Sequence, residues 1–149
     1  MPDALLFTID ATRYAIPLRD VAEIVSAVKV QVLPDAPAIV EGVVNVRGTI
    51  VPVLSLRARL GHPPRSPDVT EFFILVNARS RRVIVRSDTS PEIVNLPDIQ
   101  PGGEEEVDRA LAGVLPLLNG IAMFQDIDRF MASDDELSLN AALAAGAQA

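Results

Sequence analysis

Few side chains in this sequence are of a type that could do chemistry by themselves. The 149 residues include no cysteine and one histidine, His62, which stands in a Gly-His-Pro-Pro segment. Disulfides, thiolate nucleophiles and metal sites with nitrogen or sulfur ligands are therefore excluded. We expect His62 to be an exposed loop residue. The acidic run from Glu104 to Asp108 could be imagined as a metal site, but its carboxylates better suit a solvated loop or the first turn of a helix.

Arg47 is the side chain with the strongest case for a role in binding. It forms an Arg-Gly pair with Gly48 between two runs rich in Val and Ile, and this pattern predicts a β-hairpin whose tight reversal uses the glycine. A guanidinium at a hairpin tip has planar donors that suit a carboxylate or carbonyl of another protein. The alternative is that Arg47 folds back toward Asn45 or a nearby carboxylate and only holds the turn.

The elements on either side of the hairpin must position this arginine. Gly42 allows a close backbone approach where the first run begins. Ser55 precedes an apolar-periodic segment from Leu56 to Leu60, which predicts a short helix capped by the serine and closed by Gly61.

The stretch from Gly42 to Leu56 resembles the signature of the CheW-like family, the coupling proteins of bacterial chemosensory arrays. Each specified position of the family pattern G-V-x-N-x-R-G-x-I-x-P-V-x-x-L is present, Pro52 among them. The resemblance extends to Val21–Ile24, a Val-x-Glu-Ile step. At Ser55 the family commonly has Asp, and both residues cap helices.

The resemblance implies a mainly β fold of two SH3-like, five-stranded barrels that share a core, with short helices and a possible C-terminal helix. It implies a non-catalytic cytoplasmic adaptor without cofactor or metal. Such a protein couples the cytoplasmic tips of methyl-accepting chemoreceptors to the regulatory domain of a CheA-type histidine kinase. Carried onto this chain, the partner-binding residues are Arg47, Asn45, Gly48 and Glu23, the last at an acidic position near the kinase-binding face. Gly42, Pro52 and Ser55 form the structural signature.

Alternating apolar residues predict further paired strands along the chain. The predicted strands cover residues 5–9, 14–18, 21–25, 72–77, 81–85, 115–118 and 121–124. Asp126 is expected to cap a short helix that reaches Met131. The predicted core includes Val46, Ile50, Val53, Leu56 and Phe124.

The domain organisation follows from composition. Residues 61–70 contain three prolines and read as a linker between two halves, of which the second repeats the first. We expect a CheW-like domain over residues 4–132, with its subdomains meeting near 61–70. The tail 133–149 begins with a capping-box pattern and is expected to be helical if it is ordered.

Charge and hydropathy exclude several classes of partner. The net charge of −7 opposes binding to a phosphate backbone, so nucleic acid is not expected. No apolar stretch approaches the roughly 20 residues of a membrane span, and Met1-Pro2-Asp3 is not a basic leader. These features predict a soluble cytoplasmic protein without direct membrane insertion.

Residues 84–88 depart from the family and support a competing hypothesis. The family shows a Gly-Leu-Val-Val-Asp type of strand where this chain has Ile-Val-Arg-Ser-Asp, which suggests an altered partner surface. Asp88-Thr89-Ser90 also resembles the Asp-Thr-Gly/Ser signature of aspartic proteases, some of which are small all-β dimers. This enzyme alternative, with Asp88 as the catalytic acid, is disfavoured because Arg86 and Ser87 replace the apolar strand expected before the aspartate.

Overall fold

A computed structural model describes residues 3–79, 81–95, 114–117 and 120–147. Within these residues the strands are β1 (Asp3–Ile9), β2 (Thr12–Pro17), β3 (Val21–Ser26), β4 (Val40–Val46), β5 (Thr49–Leu54), β6 (Phe72–Asn77), β7 (Arg82–Ser87), β8 (Glu92–Asn95), β9 (Val114–Leu117) and β10 (Gly120–Phe124). The helices are α1 (Leu56–Arg59) and α2 (Ser133–Ala147), with 3₁₀ turns at Leu18–Asp20 and Ile127–Phe130.

Two five-stranded sheets make up the fold, in the orders β8-β1-β2-β10-β9 and β3-β6-β7-β5-β4. The predicted mainly β fold with a C-terminal helix is confirmed. Each sheet contains strands that precede residues 61–70 in the sequence and strands that follow them. This segment joins α1 to β6, a strand of the second sheet. The strands therefore do not pair as a first half repeated by a second. The domain limits 4–132 and 133–149 remain a prediction.

Strands β3 and β4 are the two edge strands of the second sheet, and the segment that joins them pairs with β4. The backbone N of Gln31 donates to the O of Val43 at 2.8 Å, and the N of Val43 donates to the O of Gln31 at 2.8 Å. A Cβ added to Gly42 would lie 2.5 Å from the O of Gln31 and 2.5 Å from Cγ1 of Val30. The close approach predicted for Gly42 is confirmed, because no larger residue fits against this backbone.

Strands β5, β6 and β7 are largely apolar, and both of their faces are buried. One face packs against the first sheet, in a core that includes Phe7, Ile16, Leu54, Ile74 and Val85. The other face lines the interior of the second sheet with Val44, Val51, Val53, Phe73, Leu75 and Ile84. Burial on both faces explains the continuous runs of Val, Ile and Leu.

The predicted tail helix is confirmed, and α2 docks on the core shared by the two sheets. Leu139 is fully buried in this core, Ala142 is also buried, and Leu143 packs against the cluster. The three side chains are spaced i, i+3 and i+4, which places them on one face of the helix. In the described part of the chain, no helix combines the length and apolar character needed to cross a membrane.

The predicted core is partly wrong. Val53 and Leu56 are buried, and Val46 is half-buried against the interior of the second sheet. Ile50, in contrast, is 51% exposed. Phe124 belongs to β10, but its side chain lies outside the part that the structure describes.

Strand pairing explains the error at Ile50. Val46 pairs with Thr49 across the turn, and Asn45 pairs with Ile50. Because side chains alternate along a strand, Ile50 lies on the opposite face from Val51 and Val53. It shares a face with Leu54, but near the hairpin tip that face is exposed.

The two predicted helix caps have different outcomes. Asp126 accepts a hydrogen bond from the backbone N of Asp128 at 3.1 Å, although the segment it caps is a 3₁₀ turn. Ser55 precedes α1 as predicted, but its side chain makes no capping hydrogen bond. Its backbone N donates to the O of Ile39 at 2.6 Å, and its ψ of 60° lies outside the extended region typical of an N-cap.

Candidate partner-binding site

The predicted hairpin turn is present, with Arg47 and Gly48 as its two central residues between β4 and β5. Their φ angles are 48° and 88°, so both lie in the left-handed region that a two-residue type I′ turn requires. Glycine tolerates this conformation, whereas a long side chain rarely adopts it. Arg47 is thus one of the few non-glycine residues in the described chain with a positive φ.

Asn45 holds the turn directly. Its Oδ1 accepts a hydrogen bond from the backbone N of Gly48 at 2.7 Å. This contact gives Asn45 and Gly48 a structural role in the turn, and their role in partner binding remains a prediction. Pro52, a signature residue, is buried in β5 opposite Val43.

The side chain of Arg47 reaches the carboxylate of Glu23 on β3. The guanidinium donates to Oε2 of Glu23, and the hydrogen bond from Arg47 holds the pKa of Glu23 below its usual value. The Arg47 side chain is 68% exposed and that of Glu23 is 29% exposed. Arg47 therefore folds back onto a nearby carboxylate, and the structure brings two of the predicted binding residues together at the surface.

An isoleucine is exposed on each of the strands β3 and β5. Ile24 follows Glu23 on β3 and is 39% exposed, and Ile50 lies opposite Asn45 on β5. Glu23, Asn45, Arg47 and Ile50 form what we call the hairpin surface, whereas Ile24 points to the opposite face of β3 from Glu23. Sequence reasoning missed Ile50, although correct counting of the strand alternation would have found it.

Asp88 is engaged in an ion cluster at the joint between the sheets. Arg57 of α1 donates from Nη2 to both oxygens of Asp88, at 2.8 and 2.9 Å, and from Nη1 to Oδ1 of Asp10 at 2.7 Å. The backbone N of Asp10 also donates to Oδ2 of Asp88 at 2.8 Å. An aspartic protease needs two carboxylates that share a proton, whereas here a guanidinium bridges them. The geometry gives no support to the protease alternative.

His62 belongs to the same joint, so the prediction of an exposed loop residue is wrong. Its side chain is 13% exposed and lies with Nδ1 3.5 Å from Oδ2 of Asp10. Its Nε2 is 2.5 Å from the hydroxyl of Tyr14. These partners lie 48 or more positions away in the chain, and the local Gly-Pro context gave no indication of them.

The atypical strand at residues 84–88 is internal, and the interpretation of Arg86 and Ser87 as an altered partner surface is wrong. Arg86 is 8% exposed and Ser87 is fully buried. Arg86 binds Glu71 with two hydrogen bonds of 2.9 and 3.0 Å, and contacts Oε1 of Glu41 at 2.5 Å. Burial raises the pKa of Glu41, and the neighbouring guanidinium opposes that effect.

No candidate metal centre is found among the described residues, which hold no group of three or more histidine, aspartate or glutamate side chains placed to bind an ion. The acidic run at Glu104 to Asp108 lies outside them.

Comparison with known proteins identifies the family. The model of the CheW-like domain matches residues 3–135. The chain belongs to the CheW-like domain family. The hairpin surface therefore lies on a CheW-like domain, and the resemblance read from the signature is confirmed.

Relatives and a solved structure agree with this assignment. The chain is 28% identical to the chemotaxis protein CheW of Rhizobium meliloti over 138 residues, which covers 89% of each protein. It is 29% identical to the chemotaxis protein CheW of Klebsiella aerogenes over 136 residues, or 88% of this chain and 82% of that protein. The crystal structure of the scaffolding protein TtCheW from Thermoanaerobacter tengcongensis shares the fold, with a TM-score of 0.73, 22% identity and 91% coverage of each chain.

Proposed function

We propose that this CheW-like domain is a non-catalytic cytoplasmic adaptor that couples chemoreceptors to a CheA-type histidine kinase. The names of its relatives support a role in chemotaxis, and the family supports a scaffold. The observation that carries the proposal is the exposed Arg47–Glu23 pair at the tip of the signature hairpin, which also carries the exposed Ile50.

The geometry would allow Arg47 to exchange its contact with Glu23 for a contact with a partner protein. An exposed ion pair contributes little to folding, so Arg47 can contact a carboxylate or carbonyl of a partner without a large loss in the free protein. Docking would also remove Ile50 from water, which favours association. The proposed partners are the kinase regulatory domain and the cytoplasmic tip of a receptor.

Substitution of Arg47 tests this proposal. Arg47→Asn places a residue that tolerates positive φ in the turn, so we expect the melting midpoint to stay near that of the native protein. Arg47→Glu additionally places two carboxylates side by side. Both variants should weaken binding to the purified kinase or receptor fragment about tenfold or more in titration calorimetry, if Arg47 is central to the interface.

Arg59→Asn and Arg59→Glu are the matched controls, because Arg59 is exposed at the end of α1 and lies outside the hairpin surface. They should bind both partners as the native protein does. Unchanged affinity of the two Arg47 variants for both partners would contradict the role of Arg47. No binding by the native protein to either partner would contradict the adaptor function itself.

A further inference from the structure

Arg82, the first residue of β7, brings a second guanidinium to the border of the hairpin surface. Arg82 is exposed, and its Nε donates to the neutral Oδ1 of Asn77 at 3.0 Å. Within the part of the chain that the structure describes, this guanidinium has no carboxylate as an ion-pair partner. The positive charge of Arg82 therefore meets only a neutral acceptor there.

Strand pairing places Arg82 and Glu23 on the same face of the second sheet. Glu23 pairs with Leu75 of β6, and Leu75 pairs with Ile84 of β7, so the three lie in one row across strands about 4.8 Å apart. Leu75 and Ile84 face the interior of this sheet, and Arg82 shares their face because it precedes Ile84 by two residues. Glu23 and Arg82 therefore stand on either side of β6, at the end of the interior face.

Contact of Arg47 with a partner would take from Glu23 its hydrogen-bonded cation. The hydrogen bond from Arg47 is the largest influence on Glu23 and lowers the pKa of this carboxyl, and the charge of Arg82 acts in the same direction. Two guanidinium groups thus serve one carboxylate. Arg82 can replace Arg47 as the partner of Glu23, because a hydrogen bond to a neutral amide is weaker than one to a carboxylate.

We propose that Arg82 is a positioning residue, which moves from Asn77 to Glu23 when Arg47 leaves Glu23 to contact a partner. The contact with a partner rests on the proposed function, whereas the exchange between the two arginines is a property of the free chain. Glu23 keeps a cation throughout, so its carboxylate does not meet the partner unpaired. The guanidinium of Arg47 is then free to bind a carboxylate or carbonyl of that partner.

Arg47→Asn reproduces the released state in the free protein. In this variant we expect the Nε–H resonance of Arg82 to shift in NMR spectra, and adding Glu23→Gln should abolish the shift. The pKa of Glu23, measured at its carboxyl carbon, should stay below the ordinary value of 4.5 in Arg47→Asn and rise toward it when Arg82→Gln is added. Arg59→Gln is the matched control, because Arg59 is exposed and outside the hairpin surface, and adding it to Arg47→Asn should change neither measurement.

Binding measurements connect the exchange to the partner. In an otherwise native chain, Arg82→Gln should weaken binding to the purified kinase or receptor fragment about threefold, as expected for the loss of one exposed ion pair, whereas Arg59→Gln should not. An Arg82 resonance that is unchanged in Arg47→Asn, or full affinity of Arg82→Gln for a fragment that the native protein binds, would overturn the proposal. If the free protein shows the exchange but binds neither fragment, the adaptor function fails and the exchange between the arginines stands.

Discussion

At the scale of single residues, Arg47 shows how much a local pattern can establish. The Arg-Gly pair between two β-branched runs correctly predicted the turn, because the φ angles of a two-residue hairpin loop depend on the residues inside it. The partner of Arg47 was not predicted. Glu23 lies 24 positions earlier, and only the pairing of distant strands brings the two side chains together.

Ile50 provides the prediction at this scale. Because its side chain is half exposed, Ile50→Ala should change the free energy of unfolding by less than about 1 kcal/mol, rather than by the 2 to 4 kcal/mol expected for a core residue. Leu75→Ala, at a buried position of β6, should cost about 2 to 5 kcal/mol. Urea unfolding measures both, and a cost for Ile50→Ala equal to that of Leu75→Ala would refute the exposed assignment.

The same variant has a second readout. On the proposed hairpin surface, Ile50→Ala should weaken partner binding while the protein remains folded, because it removes apolar area that docking would bury. Val69→Ala, a substitution at an 87% exposed valine away from that surface, is the control for nonspecific effects. Equal affinities for the two variants would remove Ile50 from the proposed site.

At the scale of elements, hairpins were predictable and ion clusters were not. The pairs β1–β2, β4–β5 and β6–β7 follow from alternating apolar residues and short turns. Arg86 interrupts the apolar run of β7, and the sequence suggested an exposed strand there. Its carboxylate partners lie 15 and 45 positions away, so no local pattern could show that the charge is buried and paired.

The Arg86–Glu71 pair yields a prediction for β7. Arg86→Leu should destabilise the fold by about 3 to 5 kcal/mol, because it leaves the fully buried Glu71 without its main cation. Adding Glu71→Gln should recover part of that loss, since the unpaired buried charge disappears. Urea unfolding of the two single variants and the double variant measures the coupling. Additive losses would show that the two side chains do not stabilise each other.

At the scale of the whole molecule, the fold class was predictable through the signature, whereas the connection between the sheets was not. Strand β10 pairs with β2 in parallel and β8 pairs with β1, so the first sheet joins the two ends of the described chain. Turn chemistry specifies neighbours along the sequence and carries no information about such distant pairings. The two sheets do share one pattern, in which one hairpin pairs in parallel with a strand of a second hairpin. Each sheet nevertheless takes strands from both sides of residues 61–70, so the predicted division into a first and a second half is wrong.

The joint between the sheets gives a prediction about pH. The hydrogen bond from Arg57 is the largest influence on Asp10, and it lowers the pKa of this carboxyl below the ordinary value of 3.8. A carboxyl whose pKa is lower in the folded state stabilises the fold fully above the unfolded value, and this contribution is lost as the pH falls through the folded value. Acid should therefore weaken the joint between α1 and the β1–β2 turn below about pH 4.

Asp10→Asn should reduce this acid sensitivity. The variant should be less stable than the native protein at neutral pH, where the pair with Arg57 is complete. The difference should shrink as the pH falls from about 4 through the lowered pKa of the folded state, because below that value Asp10 is protonated in both states of the native protein. Melting midpoints between about pH 2 and pH 7 measure the difference. Asp35→Asn is the control, since Asp35 is exposed and away from the joint, and it should follow the native curve. A constant difference between Asp10→Asn and the native protein across this range would mean that the charge of Asp10 does not hold the two sheets together.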